Sequence, residues 1–233
     1  MERRDFVKLC AAGAAAGTLP TAAEAATLKA RLHSRVRLET ERGEPVRAAQ
    51  LKAGVNYVFD YPFESTPCFL IRLARPAATA AELRTEAGQS YRWDGGAGPD
   101  RSLVAYSAIC AHKLTYPTRQ VSFIGYRDAP SPVAGGGKVI TCCSDRSVYD
   151  PAAGAKVLAG PAPQPLATIL LEHDAAKDEL FAVGTLGGEM FDKFFERFGF
   201  RLQLERGDRA KTGVSGRAVV KELSNYSTQW AQC

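Results

Sequence analysis

The chain has 233 residues, a formal net charge of +5, 45% hydrophobic and 24% charged side chains. That length supports one core, or one domain with an appendage, and the balance is globular, which excludes a disordered chain. No Lys/Arg block interleaves with aromatic residues, so nucleic acid is not an expected partner.

At the N-terminus, Arg3-Arg4-Asp5-Phe6-Val7-Lys8 precedes a weakly apolar Ala/Gly stretch from Leu9 to Leu19, then the small-residue site Ala23-Glu24-Ala25. This is the pattern of a twin-arginine export segment, expected over residues 1–26, and it implies a periplasmic protein. The apolar run is shorter than the about 20 residues of a spanning helix, so membrane association would need the segment to be retained. Of the six cysteines, Cys10 lies in this segment; Cys68, Cys110, Cys142, Cys143 and Cys233 remain. An odd number in an oxidising compartment points to thiolates that serve a metal. Cys68 reads as a core thiol, and Cys233 as a disulfide partner for Cys68 or Cys143.

From about Val36 to Gly184 the sequence predicts short strands separated by turns. Val55–Phe59, Phe69–Leu73 and Leu103–Tyr106 are rich in β-branched and aromatic residues. Thr168–Glu172 and Leu180–Val183 flank a polar turn and predict a hairpin. Ala77–Glu86 is consistent with either a short helix or a loop. The Pro130–Gly137 tract predicts a surface excursion. Beyond Met190, Phe191, Phe194, Phe195 and Phe198 recur at helical spacing, and the helix is expected to end at Gly199. Val219, Val220, Leu223, Tyr226 and Trp230 outline a second helical stripe, with packing against the β body expected for both.

The strand Leu103–Tyr106 runs into Cys110-Ala-His112. Later come Cys142-Cys143-Ser144-Asp145-Arg146-Ser147-Val148-Tyr149-Asp150 and then Gly160-Pro161-Ala162-Pro163-Gln164-Pro165-Leu166. A cysteine and a histidine one residue apart on a tight loop present both side chains to one side, and a second cysteine loop can grip the same centre from the other. Taken together these motifs resemble those of the Rieske iron–sulfur proteins, in which two cysteines hold one iron and two histidines the other.

The resemblance implies an all-β, Rieske-type sandwich over residues 27–189, with a small cluster-binding subdomain at about 104–165 and a C-terminal extension at 190–233 carrying one or two helices. It implies a 2Fe–2S cluster held by Cys110, His112 and Cys142, with Asp145 standing where the second histidine belongs. Cys143 is the alternative ligand, but that register puts Arg146 in the histidine place, and arginine does not bind metal. Ser147 and Tyr149 are expected to hydrogen-bond cluster sulfurs, and Gly160 and Pro161 to belong to a loop that shields the cluster. The positions of the family's loop-bridging disulfide hold Thr115 and Ser144 here.

The function so implied is an exported one-electron carrier, a subunit of a periplasmic oxidoreductase or respiratory complex rather than a stand-alone enzyme. Its expected partners are a cytochrome c or a molybdenum-containing catalytic subunit, as for arsenite-oxidase small subunits, or a membrane cytochrome b. Quinol oxidation in the family uses an exposed ligand histidine, so losing one favours relay between redox proteins. The alternative is a Rieske-fold interaction subunit without a cluster. A Rieske oxygenase needs a second iron on two histidines and a carboxylate, and only His33 and His173 are spare.

Overall fold

The computed structural model describes residues 27–233, so the expected export segment at 1–26 lies outside the described residues. In chain order the strands are β1 (Arg31–Glu39), β2 (Tyr57–Asp60), β3 (Pro67–Arg72), β4 (Ala81–Arg84), β5 (Ser90–Trp93), β6 (Leu103–Ser107), β7 (Val121–Ser122) and β8 (Ile124–Arg127). There follow β9 (Val139–Cys142), β10 (Ser147–Asp150), β11 (Lys156–Ala159), β12 (Thr168–Asp174) and β13 (Glu179–Leu186). The helix α1 (Met190–Arg206) comes next, then β14 (Arg217–Val219), β15 (Lys221–Glu222), the single-turn α2 (Leu223–Tyr226) and β16 (Gln229–Trp230).

An eight-stranded sheet, ordered β14-β1-β13-β12-β6-β3-β2-β15, carries the body; a four-stranded sheet, β11-β10-β9-β8, carries the second cysteine motif. The expected all-β architecture with a smaller site-bearing sheet and a C-terminal helix is what the chain adopts. The apolar run of β3 reads continuously because both of its faces are covered. Cys68 and Leu70 enter a core beneath α1, while Phe69 and Ile71 enter a second core shared with the four-stranded sheet. β6 divides in the same way, Leu103 and Ala105 to one side and Val104 and Tyr106 to the other. The predicted hairpin is β12–β13, and Asp174 Oδ1 accepts the amides of Ala176 and Lys177 in its turn.

Three readings of the sequence are corrected or resolved. Ala77–Glu86 contains a strand, β4, paired with β5. The helix α1 does not stop at Gly199 but runs to Arg206. Leu202, 1% exposed, extends the Phe191–Phe194–Phe198 stripe by one turn, and that burial outweighs the roughly 1 kcal/mol cost of a helical glycine.

The second helical stripe is helical only over the single turn α2, which holds Leu223 and Tyr226, while Val219 and Trp230 lie on strands. β14 adds in parallel to β1, β15 pairs with β2, and Val220 N donates to Glu39 O at 2.7 Å. Unpaired amides and carbonyls along both sheet edges claim this segment, overriding its helical spacing. The two outermost strands of the large sheet are thus separated in sequence only by Val220. The 190–233 segment is therefore woven into the body.

Beyond α2 the tail pairs β16 with β7 and ends in a disulfide between Cys143 and Cys233, Cα–Cα 5.6 Å, at a sequence separation of 90. Closing a loop of that length restricts the unfolded chain. Cys233→Ser is expected to lower the unfolding free energy by about 2–4 kcal/mol in a urea titration. Dithiothreitol should bring the parent protein to the same midpoint. Equal midpoints for parent and variant under oxidising conditions would show that the tail is not stapled.

Candidate metal centre

The first loop leaves β6 and folds back at once. Cys110 N donates to Thr115 O at 2.8 Å and Leu114 N to Cys110 O at 2.9 Å, with Leu114 at φ +57° closing the turn. This reversal puts Cys110, fully buried, beneath His112, whose side chain is 38% exposed.

The second loop is the tip of the β9–β10 hairpin. Cys142 and Ser147 are the last paired residues, and Arg146 N returns to Cys142 O at 2.8 Å with Arg146 at φ +63°. Ser147 N donates to Asp145 Oδ1 at 3.0 Å, which aims the other carboxylate oxygen at the first loop.

There the two loops meet. Asp145 Oδ2 lies 2.9 Å from His112 Nδ1 and 3.3 Å from Cys110 Sγ. The donor atoms of Cys110, Cys142 and Asp145 all fall within 4.8 Å of one another. Tyr149, buried on β10, places its hydroxyl 3.3 Å from Cys110 Sγ and accepts the Ala111 amide at 3.2 Å. The sequence-predicted residues Cys110, His112, Cys142, Asp145 and Tyr149 therefore converge.

The electrostatics follow from this crowding. The pKa of Cys110 is lowered, first by its hydrogen bond with Cys142 and further by Tyr149, against the opposing effect of burial. Cys142 is raised, by that same contact and by burial. Burial opposes ionisation of Asp145, yet hydrogen bonds from the Ser147 amide, Cys110, Cys142 and His112 hold its carboxyl below the usual range. Burial pushes Tyr149 up, keeping its hydroxyl protonated and able to donate.

Ser147 is fully buried and its hydroxyl has no hydrogen-bond partner. A native interior rarely leaves such an atom unsatisfied. Gly160, at φ +87°, packs against this tip: a Cβ there would lie 2.4 Å from Arg146 O and 2.6 Å from Ser147 Cα. No side chain other than hydrogen fits in that contact. Pro161, next to it, is exposed.

Cys143 is the correction. Its sulfur is bonded to Cys233, so it offers no thiolate, and its amide donates to Phe123 O at 2.7 Å. Neighbouring residues of a strand end point to opposite faces, and this separates Cys142, turned inward, from Cys143, turned toward the tail. The second register is closed off, and the pairing of Cys233 that the sequence left open is with Cys143. Cys68 is a core thiol, buried and donating to Tyr61 O at 2.9 Å.

The spare histidines are both partly buried. His33 is not fully solvated: it sits 3.3 Å from Thr185 Oγ1 and packs edge-on to Tyr61. His173 has only 12% of its side chain exposed and contacts Asp178 at 2.8 Å. Neither belongs to the centre.

No protein-family model matches the chain. Among solved structures, it is similar to the soluble domain of the Rieske protein II (soxF) from Sulfolobus acidocaldarius, at 25% sequence identity and a TM-score of 0.45, over 66% of this chain and 78% of that one. A likeness of that size assigns nothing to this chain by itself.

Proposed function

We propose that the chain is an exported one-electron carrier holding a Rieske-like 2Fe–2S cluster, as a subunit of a periplasmic oxidoreductase or respiratory complex. The observation that carries this reading is the meeting of two thiols, one imidazole and one carboxylate at the tips of two separate loops. The residues present fit such a group. Thiolates suit one iron, while imidazole and carboxylate suit the other, and the orphaned Ser147 hydroxyl supplies a donor that the protein itself leaves unused.

Cys110 and Cys142 would hold one iron as thiolates, and His112 and Asp145 the other. When bound, the cluster supplies a single-electron couple. Ser147 and Tyr149 would donate hydrogen bonds toward sulfur, stabilising the added negative charge. The Gly160 loop packs on the second tip and would limit access of water to a cluster there. His112 alone among the proposed ligands reaches the surface, so a redox partner such as a cytochrome c or a molybdenum-containing subunit would approach on its side.

Asp145 would add one negative charge that a neutral histidine would not, which would lower the potential of a cluster bound there, and only His112 would remain to couple a proton.

A second reading, an interaction subunit without a cluster, has its own support: Asp145 satisfies Cys110 and His112 through internal hydrogen bonds. Iron and acid-labile sulfide, measured after anaerobic purification from a cluster-loading host, decide between the two.

In the loaded protein, Asp145→His should raise the midpoint potential by on the order of 100 mV and widen its pH-dependent range. An unchanged potential and spectrum would take Asp145 out of the ligand set. Cys142→Ser should abolish the visible and EPR spectra while Cys143→Ser retains them; the reverse outcome would reinstate the other register. Ser147→Ala should lower the potential if the hydroxyl serves a cluster. In a protein that never holds one, the same change should instead stabilise the fold by about 1 kcal/mol, because it removes an unsatisfied buried hydroxyl.

A further inference from the structure

A second constellation lies where the C-terminal end of α1 meets the tail. Two adjoining hollows, of about 330 and 620 Å³, share Arg119, Arg206 and Tyr226 in their walls. Arg209 adds to the first and Lys221 to the second; the acidic members are Glu205 and Asp60. Several of these charges are already matched: Lys221 with Glu41 at 2.7 Å, Arg209 with Glu64 at 3.7 Å and Arg206 with Asp60 at 3.7 Å. Arg119 has no ion-pair partner among the described residues.

Two buried atoms of these walls have no hydrogen-bond partner. Tyr116, 8% exposed, lines the first hollow, and its hydroxyl is buried without a hydrogen-bond partner. Asp60 lines the second, and its Oδ1 is likewise buried and unpartnered. Their residues come from different elements, the loop after the first metal tip and the end of β2, yet both line the basic cleft. Burial pushes the Asp60 carboxyl up to about 6, opposed by Arg206 and Lys221 and assisted by Glu64.

We propose that this cleft binds a small oxyanion of the phosphate or sulfate class. Arg119 and Arg206 supply guanidinium forks that match tetrahedral oxyanion geometry, and the Tyr116 hydroxyl supplies a neutral donor. The walls are concave, which suits a compact group better than a duplex or a membrane plane. The space exceeds one phosphate, so the oxyanion is either free or the head of a larger molecule. Asp60 works against the ligand, by repulsion and by engaging Arg206.

Isothermal titration of the full chain with sodium phosphate, sodium sulfate and glycerol phosphate, at ionic strength held constant with sodium chloride, tests this. Saturable binding of at least one of the three is expected, weakened about tenfold or more in Arg119→Gln and in Arg206→Gln. Asp60→Asn should tighten it several-fold, because the competing carboxylate is gone. Opposite signs in variants of one cleft separate ligand contact from loss of fold, and melting curves of each variant confirm folding. Binding of the ester without the inorganic ions assigns the oxyanion to a larger molecule. The proposal is overturned by the absence of saturable binding to all three, or by affinities in Arg119→Gln and Asp60→Asn equal to the parent's.

Discussion

A buried carboxylate must be surrounded by donors, and that requirement organises the centre of this protein. Asp145 has only 2% of its side chain exposed. Leaving a charge at that depth without partners would cost several kcal/mol. One oxygen is satisfied within its own hairpin by the Ser147 amide; the other is satisfied only if the loop of Cys110 and His112 comes across to meet it. The two loops are thus drawn together by a group that belongs to one and is served by both. The crowding that lowers Cys110 and raises Cys142 follows from that approach.

The scaffold that permits this is a sheet covered on both faces. One core lies under the phenylalanines of α1, where Tyr116 stacks edge-on against Phe194 and Phe198 at 5.0 and 5.4 Å. The other binds the large sheet to the hairpin that bears Cys142 and Tyr149. Tyr116 follows directly on Thr115, whose carbonyl holds the Cys110 amide, so the first tip is anchored at its root by the helix packing. The C-terminal segment then seals both sheet edges and straps the second tip from behind. Rigidity at the two tips therefore has two separate sources, an aromatic cluster for one and a covalent staple for the other.

How much of this was legible in the sequence depends on how local each cause is. Strand alternation and the β12–β13 turn are local, and both were readable. The start of α1 was readable from its phenylalanine spacing, but its end was not, because the reward for passing Gly199 is the burial of Leu202 against distant residues. The tail read as helix beyond its one helical turn, Leu223–Tyr226, for the same kind of reason: edge strands recruit a segment by their unpaired backbone groups, and periodicity carries no record of that. The convergence of Cys110, His112, Cys142 and Asp145 came from spacing and from resemblance together. The choice of Cys143 as partner for Cys233 did not, since no spacing reveals a distance across 90 residues. The basic cleft was invisible, its walls being drawn from β2, the loop after Cys110, α1 and the tail.

The twin cysteines at the hairpin tip carry a consequence for how the molecule acquires its identity. They are chemically alike and adjacent, yet one is tied to the tail and the other is turned toward the interior. Capturing the wrong twin would rotate the tip by one residue, presenting the inner face with a different thiol and displacing Asp145 from its post. Strand alternation, which turns one sulfur inward and its neighbour toward the tail, thereby decides which of the two the interior keeps and which the staple takes.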